Sequence, residues 1–314
     1  MTRARSDRVV IFGAAGHIGG ALARQLRYRA PDTPLRLITR REGQREALQS
    51  AFPNAQTALA DYLDPDRLRA AVAGARAVFV VTPHFLDEAQ AMGNLVAGLK
   101  ADGAVEQVVR IVGWQPDARP AAVPEPLRAF GSGVATQHFV ARDVLDASGL
   151  PTTYLNLGAS MMDNFLRNTT LRTERLLVWP NRRAPYVDPR EVAEAAARLI
   201  LAPGDYLGRV LTLNNNHDLL SGEEVAALMQ DVLLEPVAHD GGRESFLRMN
   251  AARMEQRFGR PGAAAYLFDY FEYERKVAAG WSLNDALERL LGRKPTTLRA
   301  WIQEHIAALF GTPK

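Results

Sequence analysis

The first half of the chain alternates short apolar runs with stretches whose apolar residues recur at helical spacing. Arg8–Phe12 reads as a strand. Ile18–Tyr28 reads as a helix, because Ile18, Leu22 and Leu26 fall at i, i+4 and i+8. Leu35–Thr39 is the next strand, Arg41–Ser50 a helix, and Gln56–Leu59 a weak strand. Asp64 and Pro65 then supply an N-cap and a first-turn proline for a helix to Ala73, which Gly74 ends. Ala77–Val81 and Gln107–Val112 read as strands, with Val108–Val112 expected to be apolar on both faces. The helices Asp87–Ala101 and Thr136–Ser148 follow them, and Gly149 stops the second before a sixth strand, Thr152–Leu157.

This βαβ alternation predicts an α/β doubly wound parallel sheet with helices on both faces. The rhythm then changes. Leu157–Pro185 reads as a loop with one short strand at Leu176–Trp179. Asp188, Pro189 and Glu191 have the order of a capped start for a helix over Pro189–Leu201. Val210–Leu213 reads as a strand, Ser221–Glu224 opens a helix, and the remainder is mainly helical, ending at Thr297–Phe310. The predicted organisation is a nucleotide-binding domain over 1–157, with 186–214 packing back onto it. A smaller, mostly helical substrate lobe is predicted from 158–185 and 215–314.

Bulk properties narrow the function classes. Hydrophobic residues make up 47% and charged residues 23%, as in an ordinary globular protein. The absence of cysteine excludes disulfides, thiolate metal sites and a cysteine nucleophile. The N-terminal residues lack the long apolar stretch of a signal peptide, and no segment approaches the ~20 apolar residues of a membrane span. A cytoplasmic protein with no membrane partner is expected. The net charge is +3 with a pI of about 9.3. Only Lys100, Lys276, Lys294 and Lys314 among the basic residues are lysine, and no basic stripe marks a nucleic-acid surface. A small-molecule substrate is the expected partner, and a homodimer is compatible with the sequence.

The strongest motif is Gly13-Ala14-Ala15-Gly16-His17-Ile18-Gly19, a GxxGxxG turn that directly follows a strand and opens a helix. Glycine allows the tight turn and the close approach of backbone to a pyrophosphate, and the helix start offers unpaired N–H groups to it. A ligand-free strand-to-helix turn is the alternative. The second strand ends in Thr39-Arg40-Arg41 rather than in an acid. Arginine forks suit a 2′-phosphate, which favours NADP(H) over NAD(H), although Glu42 is near enough to serve a ribose.

With these residues in place, the chain resembles the NmrA-like family of atypical short-chain dehydrogenases. The glycine turn is similar to that family's, and Ala60-Asp61-Tyr62-Leu63-Asp64 looks like its acidic stretch after the third strand. Val78–Pro83 resembles its fourth strand, Ser148–Leu155 the approach to its sixth, and Val187–Ala193 its capped helix. Asn164 and the C-terminal Leu291-Gly292-Arg293-Lys294-Pro295 also fit. The resemblance implies a dinucleotide held by Gly13, Ala15, Gly16, His17, Ile18, Gly19, Arg40, Arg41, Asp61, Tyr62, Thr82, Pro83, Gly113 and Leu157. It places Phe85, Trp114, Met161, Met162, Asn164 and Phe165 along the substrate pocket, with packing under a loop as the equal alternative. Asp61 as a loop acid and Thr82-Pro83 as a plain strand end remain open readings, and Asp188 is better read as a helix cap.

The tyrosine–lysine pair of ordinary short-chain dehydrogenases, spaced YxxxK, is missing; Tyr273-Glu274-Arg275-Lys276 has the wrong spacing. His138 takes the position where the resemblance implies a lysine or histidine, and histidine exchanges a proton near neutral pH. A half-buried helix histidine is the competing reading, and His84 is a second candidate. The expected function is an NADPH-dependent oxidoreductase that passes hydride to a quinone, enone or similar conjugated molecule. Two alternatives stand beside it: a non-catalytic NADP(H)-sensing regulator, and an isomerase or epimerase that retains its cofactor.

Overall fold

The computed structural model describes residues 7–115, 119–277 and 281–311. The segment read above for a targeting signal, residues 1–6, lies outside the described residues. The first elements are β1 (Arg8–Phe12), α1 (His17–Arg29), β2 (Leu35–Thr39), α2 (Glu42–Ala51), β3 (Gln56–Leu59), α3 (Pro65–Val72), β4 (Ala75–Val80), α4 (Glu88–Asp102) and β5 (Gln107–Val112). There follow α5 (Glu125–Ala129), α6 (Gln137–Ser148), β6 (Thr152–Asn156), β7 (Ser160–Met161), α7 (Thr169–Glu174), β8 (Leu176–Val178), β9 (Ala184–Val187), α8 (Pro189–Leu201) and β10 (Val210–Thr212). The chain closes with β11 (Leu219–Leu220), α9 (Gly222–Leu233), β12 (Ala238–Asp240), α10 (Arg243–Phe258), α11 (Ala263–Val277), α12 (Ala286–Leu291), α13 (Leu298–Glu304) and α14 (Ile306–Phe310).

Local chemistry sets these boundaries. The Asp64 carboxylate accepts from the Arg67 N–H at 3.1 Å, and Pro65 begins α3. Asp87 does the same for α4 through Gln90 N–H at 3.0 Å, and Gly103 closes that helix at a φ of +63°. Ser221 and Glu224 form a reciprocal capping box on α9.

The described chain divides into two compact units. The first holds the residues up to Val112 together with Gln137–Asn156 and Pro189–Leu211. The second holds Gly113–Thr136, Leu157–Asp188 and the residues from Thr212 onward. The sequence expectation ran the first domain without a break to 157; in the structure the stretch Gly113–Thr136 groups with the second unit.

The first unit is built on a seven-stranded sheet of order β10-β6-β5-β4-β1-β2-β3. The pairs β1–β2, β2–β3, β1–β4, β4–β5 and β5–β6 are all parallel. Successive strands run outward from β1 toward β3 and, on the other side, from β4 toward β6. The chain order therefore reverses between β1 and β4, and right-handed crossovers put the connecting helices on opposite faces. Such a reversal opens a crevice at the carboxyl ends of the strands. The central strands are buried except at the half-buried Arg8 and Arg76, as their Val, Ile, Phe and Ala content requires. Arg110 breaks that pattern. It sits at 0% exposure in the strand expected to be wholly apolar.

The second unit carries the small sheets β11-β9-β7 and β12-β8. Its main core gathers Met162, Phe165, Tyr186, Met229, Trp301 and Phe310. The stretch read as a loop with one strand holds more structure than expected, namely β7, α7 and β9. The two- to four-residue strands there are too short to show a period of two in sequence. Among the described residues, no helix is long and apolar enough to cross a membrane, and no group of metal-ligating side chains occurs.

Candidate functional site

The glycine turn lies at the carboxyl end of β1. Gly13 has a φ of +65°, and a Cβ there would stand 2.6 Å from Val81 Cγ1. A Cβ on Gly19 would stand 2.3 Å from the Gly13 carbonyl oxygen, so the turn and helix α1 close on each other only because both positions lack a side chain. The Gly16 N–H donates to the Gly13 carbonyl at 2.8 Å. Gly16 is the N-cap of α1, no side chain caps that end, and its first turn contains no acid. Gly13, Ala15 and Gly16 are exposed, His17 is half-buried, and Ile18 and Gly19 are buried. The result is an open, electropositive helix start with bare backbone around it, which fits a pyrophosphate.

At the end of β2, Arg40 and Arg41 are both exposed. Arg40 Nη1 lies 3.7 Å from the Asp61 carboxylate, a solvent-exposed pair of little energetic weight. Asp61 also accepts from the Leu63 N–H at 2.9 Å, as a loop acid does. Arg41 begins α2 as its N-cap, and its side chain makes no hydrogen bond or ion pair among the described residues. Glu42 is held by Arg45 through a short hydrogen bond, which lowers the Glu42 pKa and ties it away from a ribose.

Tyr62 turns inward. Its ring stacks on Phe12 at 4.7 Å and its hydroxyl donates to the Val81 carbonyl at 3.2 Å. Burial raises its pKa far above the usual phenol range. Tyr62 thus supports the strand end that Gly13 touches. Thr82, one residue further, donates a short hydrogen bond to Glu88 and accepts from Arg110 Nη2 at 2.8 Å. Arg110 Nη2 also meets Glu88 at 2.9 Å. The Thr82 side chain is committed to this buried charge pair.

Gln137 was not singled out in the sequence. Its Nε2 donates to the Pro83 carbonyl at 3.4 Å, and its Oε1 accepts from the Phe85 N–H at 3.1 Å. One buried amide thereby brackets the segment after β4, where Phe85 holds a φ of +66° that a non-glycine residue rarely adopts. A glutamine beside His138 carried no sequence signal of this role. His138 itself is buried, with Nδ1 lacking a hydrogen-bond partner. Burial first, and then the nearby Arg110 and His84, hold its pKa well below the ordinary imidazole value. The expected easy proton exchange near neutral pH is therefore replaced by a neutral imidazole.

In the second unit, Gly113 and Leu157 are half-buried and Trp114 is buried. A Cβ on Gly158 would lie 2.9 Å from the Trp281 ring and 3.3 Å from the Trp114 carbonyl oxygen, which brings the segments after β5 and β6 together. Met161 is half-buried in β7, opposite Val187. Asn164 is half-buried and accepts from Arg167 Nη1 at 2.8 Å. Met162 and Phe165 are core residues. Both are essentially sealed, and Phe165 packs on Trp179 at 5.3 Å and on Tyr186 at 5.9 Å. In the structure the pair lies in a 3-10 turn and packs into the core of its unit.

A parallel sheet that reverses its order beside an uncapped glycine turn defines the dinucleotide-binding α/β class. Residues 5–302 match the family model of the NmrA-like family, and the chain belongs to that family. It is 25% identical over 234 residues to the NAD(P)H azoreductase of Xenophilus azovorans, covering 74% of this chain and 76% of that protein. In fold it is similar to the Citrobacter sp. triphenylmethane reductase complexed with NADP(H), with a TM-score of 0.75, 20% identity, and 95% and 99% of the two chains covered. It is also similar to the NADPH-dependent quinone oxidoreductase of Escherichia coli complexed with NADPH, with a TM-score of 0.73, 21% identity, and 95% and 99% covered.

Proposed function

We propose that the protein is a cytoplasmic NADPH-dependent oxidoreductase that reduces a flat conjugated acceptor, such as a quinone, enone or azo compound, without a Tyr–Lys pair. The observation that carries this reading is the open start of α1 at Gly16, with backbone room at Gly13 and Gly19 and an uncommitted Arg41 at the end of β2. Names of relatives support it: an NAD(P)H azoreductase, a triphenylmethane reductase and a quinone oxidoreductase.

NADPH, when bound, supplies a hydride. The chain's own residues do the rest. Backbone N–H groups of the turn and of the first turn of α1 hold the diphosphate. Arg41, with Arg40 released from its exposed pair with Asp61, takes the 2′-phosphate through its guanidinium fork. Gln137 fixes Pro83 and Phe85, so the loop after β4 presents one surface to the cofactor and the acceptor. Neutral His138 polarises the acceptor as a hydrogen-bond donor and is not an imidazolium acid. An acceptor with a low-lying conjugated system needs positioning more than strong acid catalysis, which suits this set.

The experiment is a titration of NADPH and NADH by fluorescence, followed by NADPH oxidation across a panel of quinones, enones and azo compounds. The reading predicts tight NADPH binding and turnover on at least one class. Tight binding with no turnover on any acceptor favours the sensing regulator instead.

A further inference from the structure

Arg110 is a charge set in the middle of an apolar sheet, and its contacts lead to the end of a neighbouring strand. Its Nη2 lies 2.9 Å from Glu88 Oε1 at the start of α4 and donates to Thr82 Oγ1 at 2.8 Å. The Thr82 hydroxyl in turn donates a short hydrogen bond to the same Glu88 oxygen, which closes a triangle. Both charged side chains are sealed from solvent. A buried ion pair outperforms apolar packing only when its remaining polar atoms are also satisfied. Here Arg110 Nε and Nη1 and Glu88 Oε2 have no hydrogen-bond partner among the described residues. Stability is thus a poor reason for the pair. What apolar side chains cannot do in its place is hold the Thr82 hydroxyl.

Thr82 lies just beyond β4, and the residues around it are held as closely. The Val81 carbonyl accepts from the Tyr62 hydroxyl at 3.2 Å, and the Tyr62 carbonyl accepts from Asn94 Nδ2 of α4 at 3.0 Å. Gln137 holds the Pro83 carbonyl and the Phe85 N–H. Val81 comes so near the glycine turn that a Cβ on Gly13 would stand 2.6 Å from its Cγ1. All of these residues belong to the first unit. The strand end after β4 and the turn after β1 are therefore adjoining walls of the crevice that opens where the strand order reverses. Phe85 completes the first wall at a φ of +66°, a strained conformation for a non-glycine residue. That wall keeps its shape only while it is held at both ends, by the ion pair at Thr82 and by Gln137 at Pro83 and Phe85.

We propose that Arg110 and Glu88 are positioning residues for the nicotinamide half of the bound cofactor, acting through Thr82 on the strand end after β4. The inference rests on the reading that Arg41 takes the 2′-phosphate. On that reading the diphosphate lies at the turn after β1, and the adenosine half lies on the β2 side. In the order β4-β1-β2 the opposite side is β4, and the nicotinamide half extends over its end. Neither charged side chain touches the cofactor, because both are buried. The pair fixes where Thr82 and Pro83 stand, and these carry the wall that the nicotinamide half meets.

The test compares the natural full chain with R110M/E88L and reads two ligands separately. NADPH is titrated by fluorescence, and adenosine 2′,5′-bisphosphate, which lacks the nicotinamide half, by calorimetry. The variant is expected to lose roughly tenfold or more in NADPH affinity, while its affinity for the bisphosphate stays within about twofold. Unchanged NADPH affinity overturns the proposal. An equal loss for both ligands also overturns it, because a general loosening of the fold acts on both. If the double variant does not fold, T82V decides. It leaves the ion pair in place and removes only the hydroxyl; the same selective loss is expected, and T82S is expected to restore the affinity. Natural NADPH affinity in T82V, or T82S as weak as T82V, overturns the proposal. Bisphosphate binding that is indifferent to Arg40→Ala/Arg41→Ala, or a protein that turns over no acceptor, fails the functional reading, while the R110M/E88L comparison still decides the role of the pair.

Discussion

Arg110 and Glu88 form an ion pair at 2.9 Å with side chains only 0% and 1% exposed. Removing one member leaves the other charge buried and unmatched. Glu88→Ala is expected to cost about 3–5 kcal/mol of stability in urea unfolding. The double variant R110M/E88L, which replaces the pair by apolar side chains, is expected to recover most of that loss. A cost for Glu88→Ala below ~1 kcal/mol contradicts the pairing.

Gly19→Ala places a Cβ 2.3 Å from the Gly13 carbonyl, against backbone that has nowhere to go. The turn must open to admit it. The expected outcome is a loss of NADPH affinity of at least roughly tenfold with a smaller loss of thermal stability, because the strain falls on the phosphate cradle. Gly43→Ala, with no atom near its new Cβ, is the control and is expected to change neither.

The first unit was largely legible in the sequence. Its central strands are mostly apolar, its helices carry readable caps such as Asp64 and Asp87, and most of its elements are long enough to show their period. Arg110 escaped that reading because its partner, Glu88, is remote in sequence and becomes a neighbour only after β5 and α4 have packed. Gln137 escaped for the same reason. Tyr62 matched a family position, but the stacking on Phe12 and the bond to Val81 that turn it inward are tertiary facts. Met162 and Phe165 lie in a short 3-10 turn, whose apolar residues have no period that separates core from pocket. The strands Ser160–Met161, Ala184–Val187 and Ala238–Asp240 were too short to announce themselves.

Arg40→Ala/Arg41→Ala tests the phosphate assignment. Two guanidinium groups facing a 2′-phosphate are expected to contribute roughly 1.5–3 kcal/mol each to NADPH binding and little to NADH. Fluorescence titration of both nucleotides is therefore expected to show a selective loss for NADPH. Equal losses for the two would sink the assignment.

His138 gives a pH prediction. Its folded pKa lies below the unfolded value of 6.5. Above that value both states are neutral and the group contributes nothing. As pH falls below about 6.5, the unfolded chain takes up a proton that the native pocket refuses, so stability drops until the folded pKa is reached. His138→Gln is expected to flatten this part of the stability curve between pH 6.5 and the acid limb. The His138 ring proton in an NMR titration is expected to hold a constant shift from pH 8 through 6.5; a midpoint at 6.5 or higher contradicts the buried neutral imidazole.

The central claim is hydride transfer from NADPH to an organic acceptor, and isotope transfer tests it most directly. The protein is incubated with NADPH deuterated at the nicotinamide C4 on each face in turn, together with an acceptor reduced at carbon, and the product is analysed by mass spectrometry. The account predicts one deuterium in the product from one face and none from the other. Product that forms without label from either face, or labelled NADPH that stays intact with every acceptor, would contradict it.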